Sequence, residues 1–346
     1  MRARVDLVIG VQLHEPERFP EEFLTVKARD LYAILPGPTL VHLPGRREPA
    51  LFVSILLHGN EDVGLLAVQN ILKRYAGRTL PRALSVFVGN VAAARSGLRR
   101  REGEPDNNRV WPGTATPDCD ETRMMRSVVT RMRERGVFAS VDLHNNTGLN
   151  PHCACVTVSD AASLQLARLF SRTAVYFRAP AGVQAAAFAA LAPAITCECG
   201  QIGDLAGTEQ ATSLLDACLH LDALPRHAVA SGDLHLFHTV AIVKPRADAS
   251  LSFDGNAADL MFVPDLDHFN FRELPAGAAL ARCSSADALR ATAEGRDVTE
   301  QYFGLSEGML TLKLACIPAM LTRDQRAIQQ DCLCYLMERM PLPQRV

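Results

Sequence analysis

The sequence predicts an α/β protein in which helices flank a mixed, largely parallel sheet, followed by a smaller β-rich C-terminal domain. From about residue 50 to residue 221, apolar runs of strand length alternate with patterns of helical period, which is typical of a largely parallel sheet covered on both faces. After about residue 230 the apolar runs become short and lie between turn-rich segments. Of the 346 residues, 48% are hydrophobic, enough for a full core. We therefore expect an α/β domain over residues 1–230 and a β-rich domain over residues 231–346.

Short strands are expected to open the α/β domain, because the turns at Pro36-Gly-Pro38 and Pro44-Gly45 break residues 26–50 into strand-length pieces and predict a hairpin. Further strands are predicted where continuous apolar runs have strand length, at 51–57, 84–88, 140–143, 153–158 and 195–199. Helices are predicted where apolar residues recur at helical period, at about 65–77, 120–135, 161–170 and 209–221. The strands and helices therefore follow one another as β-loop-α units.

The C-terminal domain is predicted to consist mainly of short strands. Its apolar runs, at 234–243, 260–263, 278–282 and 309–314, are separated by turn-forming residues. The first long helix after residue 230 is expected over 322–340, and it would contain Cys332 and Cys334. The domain would then be a β module closed by one terminal helix.

Charge and hydropathy exclude several classes of protein. The formal net charge is −2 and the basic residues are scattered, so the chain has no electrostatic footprint for nucleic acid or for a membrane surface. No apolar run approaches the roughly 20 residues of a membrane span, and the first residues lack the apolar core of a signal peptide. A cytoplasmic protein is expected. Its ten cysteines are interpreted as thiols packed in the core, in preference to disulfides, metal ligands or redox groups.

Two histidines stand where predicted strands end. His58 opens the sequence His58-Gly-Asn-Glu61 after the run 51–57, and His144 follows the run 140–143. Because ligands of parallel sheets collect at the carboxyl ends of the strands, these three side chains are expected to meet. Two imidazoles and one carboxylate leave a coordination position open, which is typical of catalytic zinc. Asp142 is expected on the opposite face of its strand, so Asn145 or a backbone group could equally orient His144 through its second nitrogen.

Glu198 lies in the apolar segment 194–200, where an unpaired carboxylate would cost several kcal/mol. One interpretation is a salt-bridged acid of the core. The other, favoured by its position near the end of a strand, is a general base that takes a proton from a water molecule activated by the metal.

A charged, turn-rich segment, residues 99–113, lies between the two histidines in the sequence. Taken alone, it would be a solvated loop. Beside a zinc site, the arginines of this segment could take part in the reaction. One guanidinium can hold a substrate carboxylate through two hydrogen bonds, and another can stabilise an oxyanion.

Five motifs occur in order along the chain: His58-Gly-Asn-Glu61, Gly89-Asn90, Asp106-Asn-Asn-Arg109 before Pro112-Gly113, Asp142-Leu-His144, and Glu198 before a glycine. With this set, the sequence resembles the succinylglutamate desuccinylase/aspartoacylase family of zinc deacylases, relatives of the zinc carboxypeptidases. The resemblance covers about residues 50–205, and the segment 267–277 is similar to the family's C-terminal β domain.

The resemblance implies a zinc-carboxypeptidase-like fold and one Zn²⁺ per chain, held by His58, Glu61 and His144. It implies that Glu198 is the base, that Asn108 and Arg109 grip the substrate carboxylate, and that Arg101 polarises the scissile carbonyl. Either neighbour of Arg101, Arg99 or Arg100, could take that last role.

Two departures from the family pattern bear on the substrate. Aspartoacylases have a further arginine shortly before the catalytic glutamate that helps to bind the acyl carboxylate, whereas residues 179–197 contain no arginine here. The resemblance therefore does not carry recognition of an acidic acyl group over to this chain. Asn107 replaces an apolar residue of the family's Asp-Leu-Asn-Arg pattern and leaves Asn108 and Arg109 in register.

The leading hypothesis is a zinc-dependent hydrolase that cleaves the amide bond of a small N-acyl amino acid. A zinc carboxypeptidase acting on peptides would use the same residues, and a catalytically inactive metal-binding relative is a third hypothesis. If 267–277 or the Tyr302-Phe303 segment covers the metal site, only a small substrate fits, and the Tyr302 hydroxyl could bind it. The sequence leaves open the acyl group, the amine and whether the chain forms a homo-oligomer.

Overall fold

The computed structural model describes residues 11–178, 180–283 and 285–343, and within these ranges its strands form two sheets. In chain order the strands are β1 (Thr39–Leu43), β2 (Ala50–Ile55), β3 (Leu84–Val88), β4 (Val137–Asn146), β5 (Cys153–Val156), β6 (Thr173–Tyr176), β7 (Ala194–Gln201), β8 (His235–Pro245), β9 (Leu251–Ser252), β10 (Leu260–Phe262), β11 (Ala279–Cys283), β12 (Leu289–Ala293), β13 (Arg296–Asp297), β14 (Phe303–Ser306), β15 (Met309–Leu312), β16 (Ile317–Ala319) and β17 (Cys334–Arg339). The α-helices are α1 (Val63–Arg74), α2 (Val91–Ser96), α3 (Asp120–Arg135), α4 (Ala161–Phe170), α5 (Gln184–Ala189), α6 (Leu205–His220), α7 (Thr299–Tyr302) and α8 (Gln325–Gln330).

The larger sheet is mixed and largely parallel, as predicted. Its strand order is β1-β3-β2-β4-β7-β5-β6-β8-β12-β13, with β17 also paired to β8 and β16 paired to β17. Strands β3, β2, β4 and β7 run parallel to one another, and so do β5, β6 and β8. The carboxyl ends of β2, β4 and β7 therefore lie side by side at one edge.

Helices cover both faces of this sheet because alternate residues of each strand point to opposite sides. Leu51, Val53 and Ile55 of β2 pack in one core cluster with α1, α4 and α6. Phe52, between them in the sequence, packs in another cluster with α3 and α5 and stacks on Phe188 with ring centroids 4.3 Å apart. The predicted fold class is confirmed.

Two predictions of secondary structure are wrong. Residues 26–50 form no hairpin: β1 pairs antiparallel with β3, and Glu21–Leu24 and Ala28–Ala33 are 3₁₀ helices that bury Phe23 and Leu31. The terminal helix predicted over 322–340 is limited to α8, and β17 follows it, antiparallel to β8. The apolar run 332–337 is continuous, and periodicity cannot distinguish a buried strand from a buried helix in such a run.

The residues after 230 contribute to both sheets. Strands β9, β10, β11, β14 and β15 form the smaller, five-stranded sheet, and its core cluster also includes residues of β8, β12 and β17. Strands β8, β12, β13, β16 and β17 extend the larger sheet. The predicted domain boundary at residue 230 stays a prediction. In the described ranges, no helix is both long and apolar enough to cross a bilayer, and all ten cysteines are free thiols.

Candidate metal centre

Three side chains converge where β2 and β4 end. His58 and Glu61 lie in the loop between β2 and α1, and His144 is near the end of β4. All three are buried, and one donor atom from each lies within 4.8 Å of the others. The predicted convergence of His58, Glu61 and His144 is confirmed, and the cluster could hold a metal ion.

The donor set fits zinc in distance as well as in type. The Nδ1 atoms of His58 and His144 are 3.2 Å apart, and the Glu61 oxygens lie 2.8 and 2.7 Å from them. In a tetrahedral zinc site with bonds of about 2.0 to 2.1 Å, neighbouring ligand atoms are roughly 3.3 Å apart. Small outward shifts of these side chains would therefore admit a zinc ion between them.

A second carboxylate engages the other nitrogen of each imidazole. His58 Nε2 is 3.0 Å from Asp106 Oδ1, and His144 Nε2 is 2.7 Å from Asp142 Oδ2. Such contacts fix the tautomer and leave Nδ1 free for a metal. The expectation that Asp142 faces away from His144 is wrong, because residues two apart in a strand share a face. Asn145 instead accepts a hydrogen bond from the Val63 backbone at the start of α1.

The charges of the cluster are arranged for a cation. Burial disfavours the charged form of Glu61, but His58 and His144 outweigh it and lower the pKa of that carboxyl. Burial likewise opposes protonation of His144, yet Asp142 and Glu61 raise its pKa well above the usual range. Three carboxylates thus surround two imidazoles, a surplus of negative charge that a divalent ion would offset.

Glu198 lies beside this cluster. It occupies β7, where its Cα partner on the neighbouring parallel strand is His144, and its side chain lines the cavity. Burial raises the pKa of Glu198 to about 7, with Glu61 adding to the rise and His144 opposing it. A pKa near neutrality suits a group that accepts and then donates a proton.

The three adjacent arginines have different surroundings. Arg99 lines the cavity: its Nη1 is 3.5 Å from Glu61 Oε1, and its Nη2 donates to Asp106 Oδ2 at 2.9 Å. Arg101, predicted at the scissile carbonyl, is half-exposed and paired with Glu104, three residues further along a turn. Arg100 donates to the Glu104 backbone oxygen. The structure therefore places Arg99 at the cluster and Arg101 away from it.

The two predicted carboxylate-binding residues both reach the cavity, and each already makes some contacts within the protein. The Asn108 amide donor lies 3.2 Å from both Asp142 Oδ2 and His144 Nε2, and its oxygen accepts from the Gln184 backbone. Arg109 donates to the Asn108 backbone oxygen at 2.9 Å and to Asp331 Oδ2 at 3.0 Å.

The cavity in front of the cluster has a volume of about 320 Å³. One wall comes from the C-terminal segment 320–335, including Met320, Asp331 and Tyr335. Sequence reasoning missed these residues because it assigned the segment to a helix of a separate domain. Asn270, in the segment 267–277, exchanges two hydrogen bonds with the Leu321 backbone and so supports this wall without lining the cavity.

Tyr302 is not a cavity residue. It is buried in the core of the C-terminal sheet and is absent from the cavity lining. The contact of Tyr302 with substrate stays a prediction, and in this structure its ring packs into that core with the neighbouring Phe303. Tyr335, in β17, is a tyrosine that lines the cavity.

Comparisons with known proteins bear on the fold. No protein-family model and no curated protein matches the sequence. Among solved structures, the chain is similar to succinylglutamate desuccinylase from Chromobacterium violaceum, with a TM-score of 0.57, 19% identity and 87% of each chain covered. Murine aminoacylase 3 gives a TM-score of 0.56 at 18% identity, covering 86% of this chain and 100% of the other.

The product-bound ectoine utilization protein EutE from Ruegeria pomeroyi gives a TM-score of 0.55 at 15% identity, with 88% of each chain covered. At such identities the likeness concerns the fold alone. It confirms, at that level, the resemblance to the succinylglutamate desuccinylase/aspartoacylase structures.

Proposed function

We propose that the chain is a zinc-dependent amidohydrolase that cleaves the amide bond of a small N-acyl amino acid. The observation that carries this proposal is the convergence of His58, Glu61 and His144 beside the cavity-facing Glu198. Two imidazoles and a carboxylate leave a coordination position for reactants, as catalytic zinc sites require. The names of the structural neighbours, a desuccinylase and an aminoacylase, support hydrolysis of an N-acyl bond.

Zinc, when bound to these three residues, would supply Lewis-acid polarisation of the scissile carbonyl and of the attacking water. Glu198 takes the proton of that water and passes it to the departing amine. Arg99 presents its guanidinium to the oxygen that becomes negative, so the role predicted for Arg101 passes to Arg99. Its contacts with Asp106 and Glu61 fix the position of that guanidinium before substrate arrives.

Arg109 holds the substrate carboxylate with the donors that it does not use internally. We assign Asn108 a positioning role, because its amide already contacts Asp142 and His144. Asp106 and Asp142 keep Nδ1 of each imidazole directed at the metal position.

The wall formed by residues 320–335 favours a deacylase over a carboxypeptidase. A volume of about 320 Å³ is at the lower end of the range for small-molecule sites, about 300 to 1,000 Å³. An extended peptide would need an open groove where this wall lies. We therefore propose that the β-rich domain after residue 230 limits the size of the substrate.

The test is a hydrolysis panel with the zinc-loaded chain. N-acetyl, N-formyl and N-succinyl amino acids are compared with oligopeptides, with chelator and after zinc is restored. We expect free amino acids to be released from the N-acyl compounds, to be lost with chelator and to return with zinc. Faster release of terminal residues from oligopeptides would instead identify a carboxypeptidase, and zinc binding without any hydrolysis would identify an inactive relative.

A further inference from the structure

One carboxylate of the C-terminal wall reaches into the anion-binding part of the cavity. Asp331 follows α8, and its Oδ2 lies 3.0 Å from Arg109 Nη2 and 3.8 Å from Arg99 Nη2. The side chain is 30% exposed, so the contact is partly shielded from water. Burial disfavours the charged form of Asp331, but Arg109 and Arg99 outweigh it and lower the pKa of its carboxyl. Asp331 is therefore an anion that lies beside the arginine proposed to hold the substrate carboxylate.

The arginine donors of the inner cavity are largely used by the chain's own acids. Arg99 gives Nε and Nη2 to Asp106 and has Nη1 near Glu61. Arg109 gives Nη1 to a backbone oxygen and Nη2 to Asp331. The remaining arginine of the lining, Arg326, is exposed on α8. With the remaining donors of Arg99 assigned to the oxygen that becomes negative, Arg109 is the inner-cavity arginine of the described residues whose free donors are left for a substrate carboxylate, and Asp331 shares its charge.

From this arrangement we infer that Asp331 restricts the substrate to one carboxylate: an N-acyl amino acid whose acyl group and side chain are both uncharged. The inference rests on the proposed function and narrows its substrate class. A single substrate carboxylate can use the free donors of Arg109. A second one would lie against Asp331 without a guanidinium of its own, and like charges placed together strongly disfavour binding. Phe177, Val183 and Met320 line the same cavity and give an uncharged group an apolar surface.

The test compares matched substrates that differ in one charge. With the zinc-loaded chain, kcat/KM is measured for N-acetylasparagine against N-acetylaspartate and for N-butyrylleucine against N-succinylleucine. We expect wild type to prefer the uncharged member of each pair by at least about tenfold. Asp331→Asn keeps the shape and a hydrogen-bond acceptor for Arg109 but removes the negative charge, so it should shrink each preference by about tenfold.

Asp324→Asn is the matched control. Asp324 lies at the other end of α8 and also borders the cavity, but its carboxylate caps the helix by accepting from the Ala327 backbone. Asparagine caps a helix as well as aspartate does, so this variant makes the same charge change away from the arginine pair. Asp324→Asn should therefore retain the wild-type preference for the uncharged member of each substrate pair.

Equal rates for both members of each pair in wild type would overturn the inference while leaving the deacylase proposal in place. An unchanged preference in Asp331→Asn, or an equal change in Asp324→Asn, would also overturn it. If no compound is hydrolysed, the deacylase proposal fails. The inference about Asp331 is then tested by calorimetric binding of butyrate and of succinate to zinc-loaded wild type and Asp331→Asn. Wild type should bind butyrate more tightly than succinate, and Asp331→Asn should shrink that difference; equal binding in wild type would refute the inference.

Discussion

Replacement of Asp142 by asparagine should weaken zinc binding without unfolding the protein. Asp142 is fully buried, and its carboxylate contacts His144 Nε2 at 2.7 Å, Ser54 Oγ at 2.7 Å and Asn108 Nδ2 at 3.2 Å. An asparagine can still accept from His144 and can donate its NH₂ group to Ser54, so the packing survives. What is lost is the negative charge that holds His144 with its proton on Nε2 and its Nδ1 lone pair toward the metal.

Removal of such an outer carboxylate lowers metal affinity by about 10- to 100-fold, or about 1.4 to 2.7 kcal/mol. The assay is titration of the metal-free variant with zinc against a chromophoric chelator, with thermal unfolding as a check on folding. Ser54→Ala is the control, because it removes one hydrogen bond to the same carboxylate and leaves the imidazole contact, so it should weaken zinc binding less. Equal zinc affinity in wild type and Asp142→Asn would refute the assignment of Asp142 to His144.

Four further outcomes are expected. Glu198→Gln should retain zinc while turnover falls by about 10² to 10⁴, and unchanged turnover would remove Glu198 from the mechanism. Because the carboxylate form is the base and burial raises the pKa of Glu198 to about 7, kcat/KM should fall as the pH drops through that pKa, and a profile flat across the acidic range would contradict this. Gly207→Ala should destabilise the fold by about 1 to 3 kcal/mol in urea unfolding, because its Cβ would lie 1.8 Å from the Cys199 backbone oxygen; increased stability, as helix propensity alone predicts, would show that α6 can move. Tyr335→Phe should raise KM and Tyr302→Phe should leave it unchanged, and equal effects on KM would argue against the position of Tyr335 in the cavity.

The sequence predicted the convergence of His58, Glu61 and His144 because their positions depend on where two strands end. The apolar runs before His58 and His144 mark two neighbouring parallel strands, and parallel strands end at a common edge. Glu198 could be placed by the same rule, since β7 pairs with β4 in register. The α/β fold class follows from the same alternation of strands and helices.

What the sequence could not predict depends on contacts between distant segments. Three consecutive arginines cannot be distinguished in a sequence. In the structure Arg99 donates to Asp106 and lies at the cluster, whereas Arg101 pairs with Glu104 and is half-exposed to solvent. Asp331 is 222 residues from Arg109, and no local pattern joins them. The sequence predicts one helix over the segment that carries Asp331, because the apolar run in that segment has neither a helical nor a strand period. In the structure the last part of the segment is β17, a strand that pairs antiparallel with β8.

The pairing of β17 with β8 has a consequence for the order in which the cavity is completed during synthesis. A ribosome adds His58, Glu61, His144 and Glu198 before residue 200, but it adds the wall at 320–335 more than a hundred residues later. The nascent polypeptide therefore contains the histidine-glutamate cluster and Glu198 while their cavity still lacks one wall. That wall is complete only after β17 has joined the sheet.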